Sequence, residues 1–223
     1  MALTLYHCPD WCSSVIRLAL EELGLPYGVT PMDFEAGDFD APAFRALNPF
    51  GLIPTLETDE GPIFETAAIL IWLVDGHGRL GPRNDEPGRA AFLSWLLFVS
   101  NTLHPTVLAL IHPERAAGDA AAGAVQRAAL EKLHAHASRI ETFLLAQTPP
   151  WLSTKTPGAL GHYLGILLRW AMYLPEDQAM RFDLRPFPTL RAVLAAHETS
   201  PAALRVAAAD GLGPTPFTNP VLP

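Results

Sequence analysis

Apolar residues follow two different periods along this chain, and the change falls near residue 77. Before it the segments are short. Leu3, Thr4, Leu5, Tyr6 and His7 alternate or run apolar and predict a first strand, which Pro9 and Asp10 break. From Cys12 onward Ile16, Ala19, Leu20 and Leu23 recur at helical spacing on one face, and Gly24 with Pro26 ends that helix. Tyr27 to Met32 predicts a second strand, and Pro42 to Leu47 a short helix. Ile53 to Glu57 predicts a third strand with a proline near its start, where a missing N–H costs no ladder hydrogen bond. Asp59, Glu60 and Gly61 supply turn chemistry, so Pro62 to Phe64 reads as a hairpin partner. An apolar helical run from Ala67 to Val74 follows, and Asp75 with Gly76 stops it.

Residues 78 to 87 are crowded with Gly, Pro and charge and read as a linker. Beyond it the period is helical throughout. Phe92, Trp95, Val99 and Leu103 form one stripe, and Leu130, Leu133, Ala137, Ile140 and Leu144 another. Apolar helices follow over roughly Pro157 to Leu174 and Thr189 to His197, with a short one near Ala202 to Ala209 and a coil tail from Gly211 to Pro223. Every stripe reads as core. Strand, helix, strand, helix, strand, strand, helix is the order of a thioredoxin-like domain. The chain therefore divides into a thioredoxin-like α/β domain over 1–77, a linker over 78–87, and an all-helical domain over 88–223.

Composition adds limits. A chain of 223 residues with 49% apolar content suits two domains sharing an interface. No apolar run approaches bilayer length, and the N-terminus MALTLYHCPD lacks a charged segment followed by an apolar core; the expectation is a soluble, cytoplasmic protein with no membrane partner. Net charge is −8, and residues 1–80 carry twelve acidic side chains against Arg17, Arg45 and Arg79, which disfavours nucleic acid as a partner. Cys8 and Cys12 form no disulfide framework. No metal is expected, because ligands are too few and His134 and His136 point to different faces of a helix.

Two motifs carry the chemistry. Residues 48–56 read N-P-F-G-L-I-P-T-L and residues 65–69 read E-T-A-A-I. Thr66 sits at a helix N-terminus, where free N–H groups and the helix dipole favour a carboxylate. The pair of motifs resembles the glutathione-binding half of the glutathione transferase family. The resemblance implies glutathione as substrate or co-substrate. It also implies a cis bond at Ile53–Pro54, with the Ile53 backbone pairing with the cysteinyl part of glutathione, and Glu65 and Thr66 holding its γ-glutamyl end. A cis bond is accessible at X-Pro and seldom elsewhere. An extended tripeptide on a backbone edge is strand addition in miniature.

Tyr6, Pro9, Cys12 and Ser13 reproduce the tyrosine, proline, cysteine, serine spacing of bacterial beta-class members. A thiol at a helix start is exposed to the positive end of the dipole, which lowers its pKa. The resemblance makes Cys12 the contact to the glutathione sulfur. Ser13, Cys8 and backbone N–H groups are alternatives, and Asp10 or Trp11 takes the place of the hydroxyl in serine-type classes. His104 falls where beta-class members carry a histidine facing the active site; alternatively it is structural or faces solvent. Pro105 replaces a lysine often found beside it. Asn101 is one turn earlier, and Trp11, Asn101 and Leu103 are candidates for the cleft of the second substrate, which would lie against Phe92 to Leu103.

Two departures from the family pattern stand out. The loop DFEAGDFDAP has no lysine or arginine for the glycine carboxylate of glutathione, leaving Arg17, Arg45 or another subunit to supply one. The capping box near Tyr163 is lost to Gly158 and Gly161, with Thr156 ahead of Pro157 as a substitute cap. Phe50, an aromatic in a proline-glycine loop, either inserts into a second subunit of a homodimer or packs within its own domain. The resemblance implies an enzyme using the glutathione thiolate against a small hydrophobic electrophile or a disulfide. A non-catalytic binding or regulatory module and a glutathione-dependent isomerase or dehalogenase are the alternatives.

Overall fold

The computed structural model describes residues 3–221. A four-stranded sheet in the order β2-β1-β3-β4 is built from β1 (Leu3–His7), β2 (Tyr27–Pro31), β3 (Thr55–Thr58) and β4 (Gly61–Phe64). β1 runs parallel to β2 and antiparallel to β3, with Leu5 opposite Leu56 and Leu56 opposite Ile63. Alternation in β1 buries Leu3, Leu5 and His7 on one face. Helix α1 (Ser13–Leu23) packs there through Val15, Ile16, Ala19 and Leu20. It ends at Gly24, whose φ of 68° lets Leu25 N–H reach back to the Leu20 carbonyl. Helix α2 (Pro42–Leu47) leads into the loop before β3, and α3 (Thr66–His77) packs beside α1.

The helical part begins with α4 (Arg89–Phe98), which continues through a π turn (Val99–Leu103) into α5 (His104–Ile111). Pro105 has no N–H, and the His104 N–H bonds five residues back to Val99, so the irregularity has a local cause. Then come α6 (Glu114–Ala117), α7 (Asp119–Ala146), α8 (Ala159–Tyr173), α9 (Pro188–Glu198) and α10 (Pro201–Asp210). One apolar core runs from Leu5 and Ile16 through Phe92, Leu103 and Tyr163 to Phe217.

The structure corrects four expectations. Helix α3 passes through Asp75 and Gly76 and stops at Gly78, the residue that adopts the left-handed conformation. Strand β3 starts at Thr55, leaving Ile53 and Pro54 outside the ladder. No side chain caps α8, so Thr156 is not its cap. Gly158 and Gly161 answer to packing instead: a Cβ on Gly158 would lie 2.5 Å from the Trp151 carbonyl oxygen, and one on Gly161 would overlap the His197 ring. Finally, the 23 residues Arg89–Ile111 are long and apolar enough to cross a bilayer by length and composition alone. In the fold, Phe92, Leu96, Val99, Leu103, Val107 and Leu110 from this stretch are core residues, while 28% of its apolar window as a whole is buried.

Candidate active site

A cavity of about 380 Å³ lies where the start of α1, the loop before β3, the start of α3 and the π turn meet. Of the residues singled out in the sequence it gathers Cys12, Phe50, Ile53, Pro54, Glu65, Thr66, Asn101 and His104. Asn48 shapes one wall from within. Buried at 2% exposure, its amide donates to the Leu52 carbonyl (2.7 Å) and Thr55 Oγ1 (3.2 Å), while its side-chain oxygen accepts Phe50 N–H (3.1 Å). The loop so held carries a cis Ile53–Pro54 bond. Among the described residues, neither the N–H nor the C=O of Ile53 has a hydrogen-bond partner. Across the cavity Glu65, at φ 72°, precedes α3 in a conformation that non-glycine residues seldom adopt. The first N–H groups of α3 have no intrahelical acceptor, and no side chain caps them.

Cys12 is buried, and its Sγ lies 3.0 Å from Thr66 Oγ1. The dipole argument for a thiolate fails here. Burial pushes the thiol pKa up to about 12, and the Glu65 charge adds to the rise, while the hydroxyls of Thr66 and Tyr163 oppose it without prevailing. A helix terminus is worth about 0.3–1 kcal/mol, whereas desolvation of a fully buried group moves a pKa by several units. The free protein therefore holds Cys12 as a thiol. Cys8, half-buried, is also raised, by burial and then by Asp33, Asp210 and Asp10.

Tyr163 was not anticipated. It sits in an apolar run of α8 that reads as core, and its ring is buried, yet its hydroxyl lies 2.9 Å from His104 Nδ1 and lines the cavity. Burial raises the phenol far above its ordinary value and lowers His104 from 6.5 to about 4. At neutral pH the tyrosine keeps its proton and the imidazole is uncharged, so one hydrogen bond joins the two, with its direction set by the imidazole tautomer. Only placement in the fold distinguishes this tyrosine from its apolar neighbours.

Three predicted residues lie elsewhere. Ser13 is fully buried, 2.9 Å from His7 Nδ1 and accepting Cys8 N–H at 3.2 Å; His7 Nε2 is 3.1 Å from Asp210, which also pairs with Arg17. This network ties the first domain to α10. Trp11 is 40% exposed and packs against Phe34 and Phe39 outside the cavity. Leu103 is core, as are Phe92 and Val99, so the cavity wall from this helix is Ser100, Asn101, His104 and Pro105 instead. Asp10, in place of a serine-type hydroxyl, forms two 2.9 Å bonds to the buried Arg169 of α8 and also bonds Tyr173. A larger hollow of about 800 Å³ at the linker, between Arg79 and Trp151, lies apart from this constellation. Among the described residues no cluster of His, Cys, Asp or Glu is arranged to hold a metal ion.

Residues 1–75 match the profile of the glutathione S-transferase N-terminal domain. Glutathione S-transferase GST-4.5 of Xanthomonas campestris pv. campestris is 31% identical over 172 residues, covering 75% of this chain and 81% of that protein. A glutathione transferase of Methylococcus capsulatus superposes with a TM-score of 0.78 at 26% identity, covering 94% of this chain and 99% of that one. A sphingomonad glutathione S-transferase solved with glutathione gives 0.77 at 25% identity, covering 94% and 100%. With a thioredoxin-like sheet carrying an uncapped α3 N-terminus, a helical second domain, and a relative matched over four-fifths of its length, this chain belongs to the glutathione S-transferase family.

Proposed function

We propose that the cavity binds glutathione and that the protein is a transferase adding the glutathione thiolate to small hydrophobic electrophiles. The observation that carries this reading is that Ile53, whose backbone has no partner among the described residues, lines the same cavity as the uncapped start of α3. The cysteinyl unit pairs with Ile53, the γ-glutamyl carboxylate takes the free N–H groups from Thr66 onward, and Glu65 accepts the γ-glutamyl ammonium. Cys12 then acts as a hydrogen-bond donor. A thiol with a pKa of about 12 retains its proton beside glutathione, whose thiol titrates about three units lower, so S–H of Cys12 stabilises the glutathione thiolate. His104 and Tyr163 line the same space. The electrophile lies against the Asn101 to Pro105 wall, and the thiolate displaces its leaving group. Phe50, 62% exposed although its ring also meets Phe64 at 5.8 Å, is the proposed contact with a second copy in a homodimer.

Thiol–disulfide exchange through Cys12 is the competing reaction, and its burial as a thiol favours conjugation. Turnover of glutathione with chlorodinitrobenzene, lost in Glu65→Gln and Thr66→Val, supports the proposal. A glutathionyl adduct forming rapidly on Cys12 when oxidised glutathione is added, seen by intact mass and without conjugation, replaces it with the exchange reaction.

A further inference from the structure

The described residues lining the cavity include one carboxylate, Glu65, and no lysine or arginine. Glutathione carries two carboxylates. The start of α3 accommodates one, at the γ-glutamyl end. For the other, at the glycine, none of the three arginines of the first domain lines the cavity. Arg17 pairs with buried Asp210 under α10, and Arg45 pairs with Asp40 at 2.5 Å and donates to the Pro49 carbonyl at 2.9 Å. Arg79 borders the linker hollow. His104 is neutral at physiological pH and already holds Tyr163. Asn48, the nearest amide, has both ends occupied by the loop it shapes. In their place the rim shows Leu52 and Phe50, 59% and 62% exposed, on a domain where twelve acidic side chains face three arginines.

The geometry points to a site that does not read the C-terminal carboxylate of its thiol. Its substrate class therefore extends from glutathione to γ-glutamyl-cysteinyl-glycine thiols whose glycine carboxylate is neutralised as an amide or ester. This inference rests on the cavity being the glutathione site. Removing the charge removes repulsion from the surrounding acidic surface and sets the capped end against Leu52.

Calorimetric titration of the full chain with glutathione and with its glycyl monoethyl ester tests it. The ester binds as tightly as glutathione or up to about threefold tighter, a modest gain because exposed charges are screened. Leu52→Lys reverses the order, tightening the free acid several-fold over the ester. An ester weaker than glutathione by more than about twofold overturns the inference while leaving the glutathione site intact. If neither ligand binds, the glutathione reading itself fails, and this inference with it.

Discussion

Reactivity of Cys12 separates a buried donor thiol from a helix-activated thiolate. The perturbation is pH, applied to a Cys8→Ala chain so that one thiol remains. Burial raises Cys12 from 9.0 to about 12. At any pH below 9 the thiolate fraction is therefore about a thousandfold lower than for an ordinary cysteine, and alkylation by iodoacetamide slows in proportion. Intact mass against time, from neutral to alkaline pH, gives the rate profile; full reactivity returns when urea unfolds the chain. Stability carries the same signature. The folded pKa lies above the unfolded one, so the contribution is complete below pH 9 and is lost as pH rises toward 12, by up to about 4 kcal/mol relative to Cys12→Ala. A native rate within about tenfold of an unfolded cysteine, or a midpoint below pH 9, refutes the reasoning.

Asp10→Asn leaves the buried Arg169 guanidinium short of its counter-charge and costs about 3–5 kcal/mol, read as a lower urea midpoint. Gly161→Ala costs about 1–3 kcal/mol by driving a methyl group into His197, and Gly161→Asp, which restores the family's capping residue, also destabilises. His104 and His197, lowered from 6.5 to about 4 by burial, bind protons more readily in the unfolded chain. The urea midpoint should therefore fall as pH drops from 6.5 toward 4, less steeply in His197→Phe. Phe50→Ala shifts a dimer toward monomer on light scattering; an unchanged mass assigns Phe50 to its own domain against Phe64.

The fold was legible because its signals are local. Leu3 to His7 alternates, and Gly24 takes the left-handed turn after α1, whereas the π turn before Pro105 was not read from the sequence. The cavity's backbone was legible too, since Ile53, Pro54, Glu65 and Thr66 belong to contiguous motifs. What escaped depends on contacts across the chain. Tyr163 is 59 residues from His104, and nothing in an apolar helix marks the one hydroxyl that reaches a cavity. Ser13 stands next to Cys12, but one residue along a helix turns its side chain toward His7. The Cys12 thiolate was misjudged because a dipole can be read from position in a helix, whereas desolvation depends on what packs over the sulfur.

The central claim is that glutathione occupies this cavity with its thiolate stabilised by the Cys12 thiol. Ultraviolet titration of bound glutathione in the wild type, Cys12→Ala and Cys8→Ala tests it most directly. The bound thiol should ionise at lower pH than free glutathione, with the shift abolished in Cys12→Ala and retained in Cys8→Ala. An unshifted thiol in the wild type, or an equal shift in Cys12→Ala, contradicts the account.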